Sequence, residues 1–178
     1  YGKKFDPPVS FADLLHRIDA EVGPSLRIRF TTSFPPDVTP ALARAMAVLP
    51  SVCEHIHLPV QAGSNQPLGR MRRTYTREEY LEKVAMLRRA VPGLVITTDV
   101  IVGFPGETDA DFAETLSLME AVGFDASFAF KYSPRSGTPA AELPDQVPDS
   151  IKAARLSRLL ELQNRLSLEQ NRKLIGQA

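Results

Sequence analysis

An α/β fold built on a parallel sheet is what this sequence predicts, and three observations predict it. Segments with strand patterning alternate with segments of helical periodicity, in the order α-β-α-β-αα-β-α-β-α, which calls for parallel strands joined by crossover helices. The central run Val95–Val102 is β-branched and apolar apart from Thr97, Thr98 and Asp99, as a strand buried on both faces would be. The four predicted strand ends carry small, polar or charged residues, and in a parallel sheet such ends face one ligand site. The pattern leaves open whether the sheet is doubly wound or curls into part of a barrel.

Taken in order, Ser10 caps a helix from Phe11 to about Glu21 with Phe11, Leu14, Leu15 and Ile18 on one face, and Gly23-Pro24 ends it. Leu26–Thr32 alternates apolar and polar residues and reads as the first strand. Pro35-Pro36 breaks the chain. Thr39 and Pro40 open a second helix carrying Leu42, Ala45, Met46 and Leu49. His55–Val60 reads as a short strand, followed by the turn Gln61–Ser64. Helices follow over Gln66–Arg72 and Thr76–Ala90, the latter opened by the capping box Thr76–Glu79. After the central strand, Gly103, Pro105 and Gly106 force a tight turn, and a helix runs from about Asp109 to Val122 with Gly123 as its stop. Ala126–Tyr132 is the last strand. A proline-rich connection then leads to a long polar helix, roughly Asp149 to Leu174.

Composition sets the outer bounds. The 178 residues suffice for one domain with a sizeable core. Lys+Arg and Asp+Glu both number 21, so net charge does not single out nucleic acid as a partner. The charges are nevertheless segregated. Arg70–Pro92 holds seven basic and three acidic residues, while Asp99–Asp125 holds seven acidic and no basic ones. No apolar run is long enough to span a membrane. The single cysteine, Cys53, rules out an internal disulfide framework and fits a reducing compartment. Cys53, His55 and His57 alternate along one strand face, the geometry either of a metal site or of a buried thiol with hydrogen-bonded imidazoles. The start, Tyr1-Gly2-Lys3-Lys4, reads as a piece of a longer protein.

The strand ends Thr32-Ser33, Gln61-Gly63-Ser64, Gly103-Gly106-Glu107 and Lys131-Tyr132-Ser133-Arg135 therefore form one predicted site. Gln61, Gly63 and Ser64 offer an amide, an open backbone and a hydroxyl to a polar ligand. Arg70, Arg72, Arg73, Lys131 and Arg135 suit a carboxylate or phosphate. Tyr75, Phe104 and Tyr132 suit stacking on an unpaired base.

Several of these segments together resemble the MiaB-type methylthiotransferases, radical-SAM enzymes that act on tRNA. The resemblance is carried by Ile28–Ser33, Cys53–Ser64, Met71–Glu78, Asp99–Glu107 and Phe130–Ala140, and extends to Leu162-Gln163-Asn164. It implies an incomplete parallel (βα)6 barrel, with residues 1–147 as its last four strands and residues 148–178 as a long helix leading to an RNA-binding domain. It implies S-adenosylmethionine and two [4Fe–4S] clusters as cofactors, the cluster ligands lying outside this chain because one cysteine cannot hold either. The reaction it implies inserts sulfur at C2 of N6-isopentenyladenosine next to the tRNA anticodon and methylates it. Sister enzymes acting on threonylcarbamoyl-adenosine or on a ribosomal protein remain the alternative, as does a non-catalytic relic that binds RNA or S-adenosylmethionine.

Mapped onto this chain, the resemblance makes Ser33, Gln61, Gly63, Ser64, Ile101, Gly103, Phe104, Gly106 and Tyr132 the cofactor-binding set. Ile101 packs on the adenine of S-adenosylmethionine with the Gly103 backbone beside it. Arg72, Arg73, Lys131 and Arg135 form the substrate or RNA set, with no metal ligand and no assigned catalytic residue. The expected partners are the tRNA anticodon loop and an electron donor, for a cytoplasmic monomer without membrane contact. The isolated chain is expected to be inactive because the cluster cysteines are absent. It is expected to be prone to aggregation or marginally stable because a barrel lacking its first strands exposes a sheet edge and an apolar inner face.

Overall fold

The computed structural model describes residues 2, 4–31 and 34–176. Helix α1 spans Phe11–Val22, and Ser10 caps it reciprocally with Asp13: the Asp13 N–H donates to Ser10 Oγ at 3.1 Å and the Ser10 N–H to Asp13 Oδ2 at 2.8 Å. Thr76 and Thr108 open α4 (Arg77–Ala90) and α5 (Asp109–Val122) with the same motif. Thr39 caps α2 (Pro40–Val48) with its hydroxyl alone. Each such cap satisfies an orphan helix N–H and is worth about 1 kcal/mol. Gly123 stops α5 in the left-handed region at φ 59°.

Among the described residues three parallel strands form the sheet, in the order β1 (His55–His57), β2 (Val95–Val102), β3 (Ala126–Lys131). The remaining helices are α3 (Asn65–Arg70) and α6 (Asp149–Lys173). Short 3-10 turns occupy Pro35–Asp37 and Pro139–Glu142. The architecture is a parallel α/β partial barrel, as the family resemblance implies, with three ladder strands among the described residues where the resemblance calls for four.

Two strand expectations are corrected. Leu26–Thr32 does not form a ladder strand: among its described residues only Ile28 pairs, its N–H donating to Ser51 O at 2.7 Å and its C=O accepting from Cys53 at 3.0 Å. The predicted strand over His55–Val60 stops as a regular ladder at His57, because Pro59 has no N–H to donate. Thr98 bridges the gap. Its hydroxyl accepts from the Val60 N–H at 3.0 Å and donates to Leu58 O at 2.9 Å, and backbone pairing resumes at Gln61–Val100.

The core lies on one face of the sheet. Ile96, Thr98, Val100 and Val102 are fully buried under the helices, with Ile56, Leu58 and Val60 beside them. Tyr80 of α4 and Phe124 are completely enclosed there, and the Tyr80 hydroxyl donates to Leu58 O at 2.8 Å. The other face of β2, carrying Thr97, Asp99 and Ile101, is only half buried, so the strand is not covered on both sides as its composition suggests. On that same concave face Phe128 and Phe130 of β3 are 59% and 56% exposed.

Candidate ligand groove at the strand ends

At the carboxyl ends of β2 and β3 a groove of about 770 Å³ opens. Ile101, Phe104 and Tyr132 from the predicted cofactor set line it, together with all four predicted substrate residues, Arg72, Arg73, Lys131 and Arg135. Phe104 and Tyr132 pack edge to face with ring centres 5.0 Å apart, making a rigid aromatic wall. The Tyr132 hydroxyl is buried without a partner among the described residues. Lys131 is balanced by Asp149, with both carboxylate oxygens 3.1 Å from its Nζ. Arg72, Arg73 and Arg135 have no carboxylate partner among the described residues. Arg73 buries its Nε without an acceptor, and Arg72 is held in the left-handed region at φ 56°.

Gly103 and Gly106 shape the groove from behind rather than lining it. Gly103 has φ 71°, and a Cβ there would lie 2.4 Å from Lys152 Cγ. Its N–H donates to Glu107 Oε2 at 2.7 Å. Glu107 is buried and takes a second bond from Arg155 Nη1 at 2.7 Å. Burial pushes its carboxyl above the ordinary range, against the pull of the Gly103 amide and of Arg155. Gly106 has φ 80° and donates its N–H to Asp145 O at 2.9 Å. Arg70 crosses over Gly106 to hold both oxygens of Asp145 at 2.6 Å, which straps the 133–148 connection onto the turn.

The other predicted cofactor residues lie elsewhere. Ser33 is outside the described residues. Gln61 sits at φ 71°, with its N–H and C=O both committed to β2, at Asp99 O and the Ile101 N–H, 2.9 Å each. Gly63 and Ser64 do not present an open backbone and hydroxyl. The Gly63 N–H donates to Thr115 Oγ1 at 3.0 Å and the Ser64 hydroxyl to Asp111 Oδ1 at 2.6 Å, so both dock α5. Tyr75 is turned inward to Val60 O at 3.0 Å, away from any stacking role. Reading the sequence missed Asp145, Lys152 and Arg155. Lys152 donates to Tyr132 O at 3.1 Å and places its ammonium 5.3 Å from the Tyr132 ring centre, fixing the aromatic wall.

Cys53 is buried, with Arg27 Nε donating to its Sγ at 3.3 Å. His55 lies between Arg29 and Thr97, and His57 between Thr97 and Asp99. No group of three or more His, Cys, Asp or Glu among the described residues could hold a metal ion. Burial, then the charges of Arg29 and His57, hold the His55 imidazolium below its ordinary value of 6.5. The neutral ring is therefore the form the fold favours. Stability present above that value falls away as acid protonates the ring, and His55→Gln is expected to lessen the loss. Melting temperatures of both proteins at about pH 7.5 and about pH 5 check this; equal slopes would refute it.

The comparisons bear on the family and the fold. Residues 6–119 match the model of the radical SAM superfamily. The tRNA-2-methylthio-N(6)-dimethylallyladenosine synthase of Moorella thermoacetica is 56% identical over 99% of this chain and 40% of its own length. The synthase of that name from Chlorobaculum tepidum is 54% identical over 94% of this chain and 38% of its own. The chain thus spans about two fifths of the curated relatives it matches. Among solved structures, coproporphyrinogen III oxidase from Escherichia coli, described as a radical SAM enzyme, superposes with a TM-score of 0.69. It covers 87% of this chain and 37% of its own at 14% identity, a likeness of fold. A parallel partial barrel, its groove at the strand ends and a family match over most of its length place this chain in the radical SAM superfamily.

Proposed function

We propose that the chain is the substrate-facing part of the catalytic barrel of a tRNA methylthiotransferase that makes 2-methylthio-N6-dimethylallyladenosine. The observation that carries the reading is the 56% identity to a synthase of that name over 99% of the chain. The groove supports it physically. An apolar and aromatic wall of Ile101, Phe104 and Tyr132 suits a nucleoside, and the guanidinium groups of Arg72, Arg73 and Arg135, without a carboxylate partner among the described residues, suit a carboxylate or phosphate on its rim.

In this reading Ile101, Phe104 and Tyr132 hold the adenosyl part of S-adenosylmethionine, and an arginine of the rim takes its carboxylate. When bound, S-adenosylmethionine supplies the methyl group and the source of radical chemistry. This chain's residues bind it, orient it and keep water from one side of it. They do not fit an iron–sulfur cluster, since the one cysteine is buried against Arg27. The two [4Fe–4S] clusters of the whole protein would draw their thiolates from elsewhere, and an electron donor would reduce them. We read the protein as a cytoplasmic monomer; no helix among the described residues is long and apolar enough to cross a membrane.

The test is nucleoside mass spectrometry on tRNA from a strain lacking the whole gene. The methylthio nucleoside is expected to disappear and its dimethylallyl precursor to accumulate. Persistence of the methylthio nucleoside would overturn the assignment.

A further inference from the structure

The concave face of the sheet carries a set of side chains beyond the cofactor groove. Strand register sets Asp99 of β2 beside Phe128 of β3, and Ile101 beside Phe130. The two phenylalanines lie two residues apart on one strand, so their side chains share a face about 7 Å apart. Both phenylalanines are more than half exposed on β3, the edge strand of the sheet, so they form an open apolar patch. Phe128 packs edge to face on His57 with ring centres 6.0 Å apart.

His57 in turn fixes Asp99. Its Nε2 lies 3.3 Å from Asp99 Oδ1, while its Nδ1 shares a 2.9 Å hydrogen bond with Thr97 Oγ1. The Asp99 side chain is 30% exposed, and its Oδ2 has no protein partner among the described residues. One carboxylate oxygen is held by an imidazole, the other is free among the described residues, and Phe128 stands beside Asp99 in register, with Phe130 two residues on. The patch is continuous with the groove, because Ile101 and Phe130 line both.

We propose that this patch reads the N6 substituent of the target adenine: Asp99 accepts the N6–H, and Phe128 with Phe130 receive the apolar dimethylallyl chain. The inference rests on the function proposed above and adds the residues that choose the substrate. The occupant follows from the chemistry of the patch. A secondary amine bearing a branched apolar chain presents one hydrogen-bond donor followed by apolar surface. The patch presents one acceptor followed by two rings. The phosphates of the same nucleotide strand would then meet those of Arg72, Arg73 and Arg135 that the S-adenosylmethionine carboxylate leaves free. An adenine without the substituent would satisfy Asp99 and leave both rings wet.

The experiment measures binding of anticodon stem-loop RNA to the full-length enzyme, with the target adenosine either carrying or lacking the dimethylallyl group. The unaltered enzyme is expected to favour the prenylated RNA. Phe128→Ala should cut that preference about tenfold, the scale set by losing apolar contact in a pocket. Phe128→Leu should restore most of it, and Asp99→Asn should weaken both RNAs alike. Because Phe128 is an exposed side chain, its replacement leaves the core intact. An unchanged preference in Phe128→Ala would overturn the inference while leaving the proposed function standing. No preference in the unaltered enzyme, together with methylthio nucleoside persisting in the deletion strain, would overturn both. Equal loss of preference in Phe128→Ala and Phe128→Leu would point to a covering protein segment at the patch, and so against a substrate subsite.

Discussion

Replacing Arg155 by alanine is expected to destabilise the protein by about 3–5 kcal/mol at neutral pH, the range for removing one member of a buried ion pair. The Glu107 side chain is fully enclosed and that of Arg155 is 7% exposed. Arg155 also reaches Glu107 O at 3.1 Å and Asp109 Oδ1 at 2.8 Å, but Asp109 is open to water and adds little. Without the guanidinium, the Glu107 carboxylate keeps, among the described residues, the Gly103 N–H alone, its Oε1 having no partner there. A stranded carboxylate must remain ionised without a countercharge or take up a proton. Burial already holds this carboxyl above its ordinary 4.5, and losing Arg155 raises it further. The sign follows. A carboxyl with a raised folded value favours the protonated fold, so the deficit grows as pH rises through that value and shrinks in acid. Urea unfolding at about pH 7 and about pH 5 checks both statements. The double replacement Glu107→Gln with Arg155→Met should recover most of the loss, since apolar or neutral substitutes remove the stranded charge. A neutral-pH deficit below about 1 kcal/mol would show that the pair is solvated in solution.

Gly63→Ala is expected to cost about 3 kcal/mol or more and to displace α5. An added Cβ would sit 2.4 Å from Thr115 Cα and 2.9 Å from Glu114 O. Both are helix backbone, which cannot swing aside as a side-chain tip can. The approach is held from both sides: the Gly63 N–H donates to Thr115 Oγ1, and Arg77 Nη1 donates to Gly63 O at 2.7 Å and Glu114 O at 2.6 Å. Relief therefore requires moving α5 by about 1 Å and loosening those bonds together. Gly137→Ala is the control. Its Cβ would meet nothing within 4 Å, so only the left-handed backbone at φ 77° opposes it, at about 1–2 kcal/mol. Thermal unfolding of the two variants separates the effects; equal losses would refute the packing account.

The helices were legible because their signals are local. Ser10, Thr39, Thr76 and Thr108 announce N-termini through side chains that serve N–H groups two or three residues on, and Gly123 announces a stop. Of the four strand ends read as one site, those of β2 and β3 do line the groove. The exceptions are non-local. Leu26–Thr32 alternates as a strand, yet pairing depends on a neighbour that no local pattern reports. Gly63 and Ser64 look like a ligand-ready turn because a sequence does not say which helix packs on it. Arg155 and Lys152 were hidden in a helix that reads as polar. A signal existed, however. Extending the stripe Leu166, Leu162, Leu159 back by four and seven residues from Leu159 lands on Arg155 and Lys152, both buried. Charged residues in register with a core stripe are candidates for buried partners.

Helix α6 also acts as a gauge. Near its start, Lys152 and Arg155 grip Tyr132 and Glu107 at the carboxyl ends of the strands. Farther on, Gln163 donates to Phe124 O at 3.0 Å and Gln170 to Gly123 O at 2.9 Å, at their amino ends. The interval from Arg155 to Gln163 is about 12 Å of rigid rod. Inserting or deleting one residue there would turn one set of grips by about 100° relative to the other. The length of this helix is thus not free to drift over evolutionary time. The 133–148 connection, whose irregular backbone can absorb an added residue as a bulge, has more latitude. Lineages of this fold should vary in that connection and keep α6 fixed to the residue.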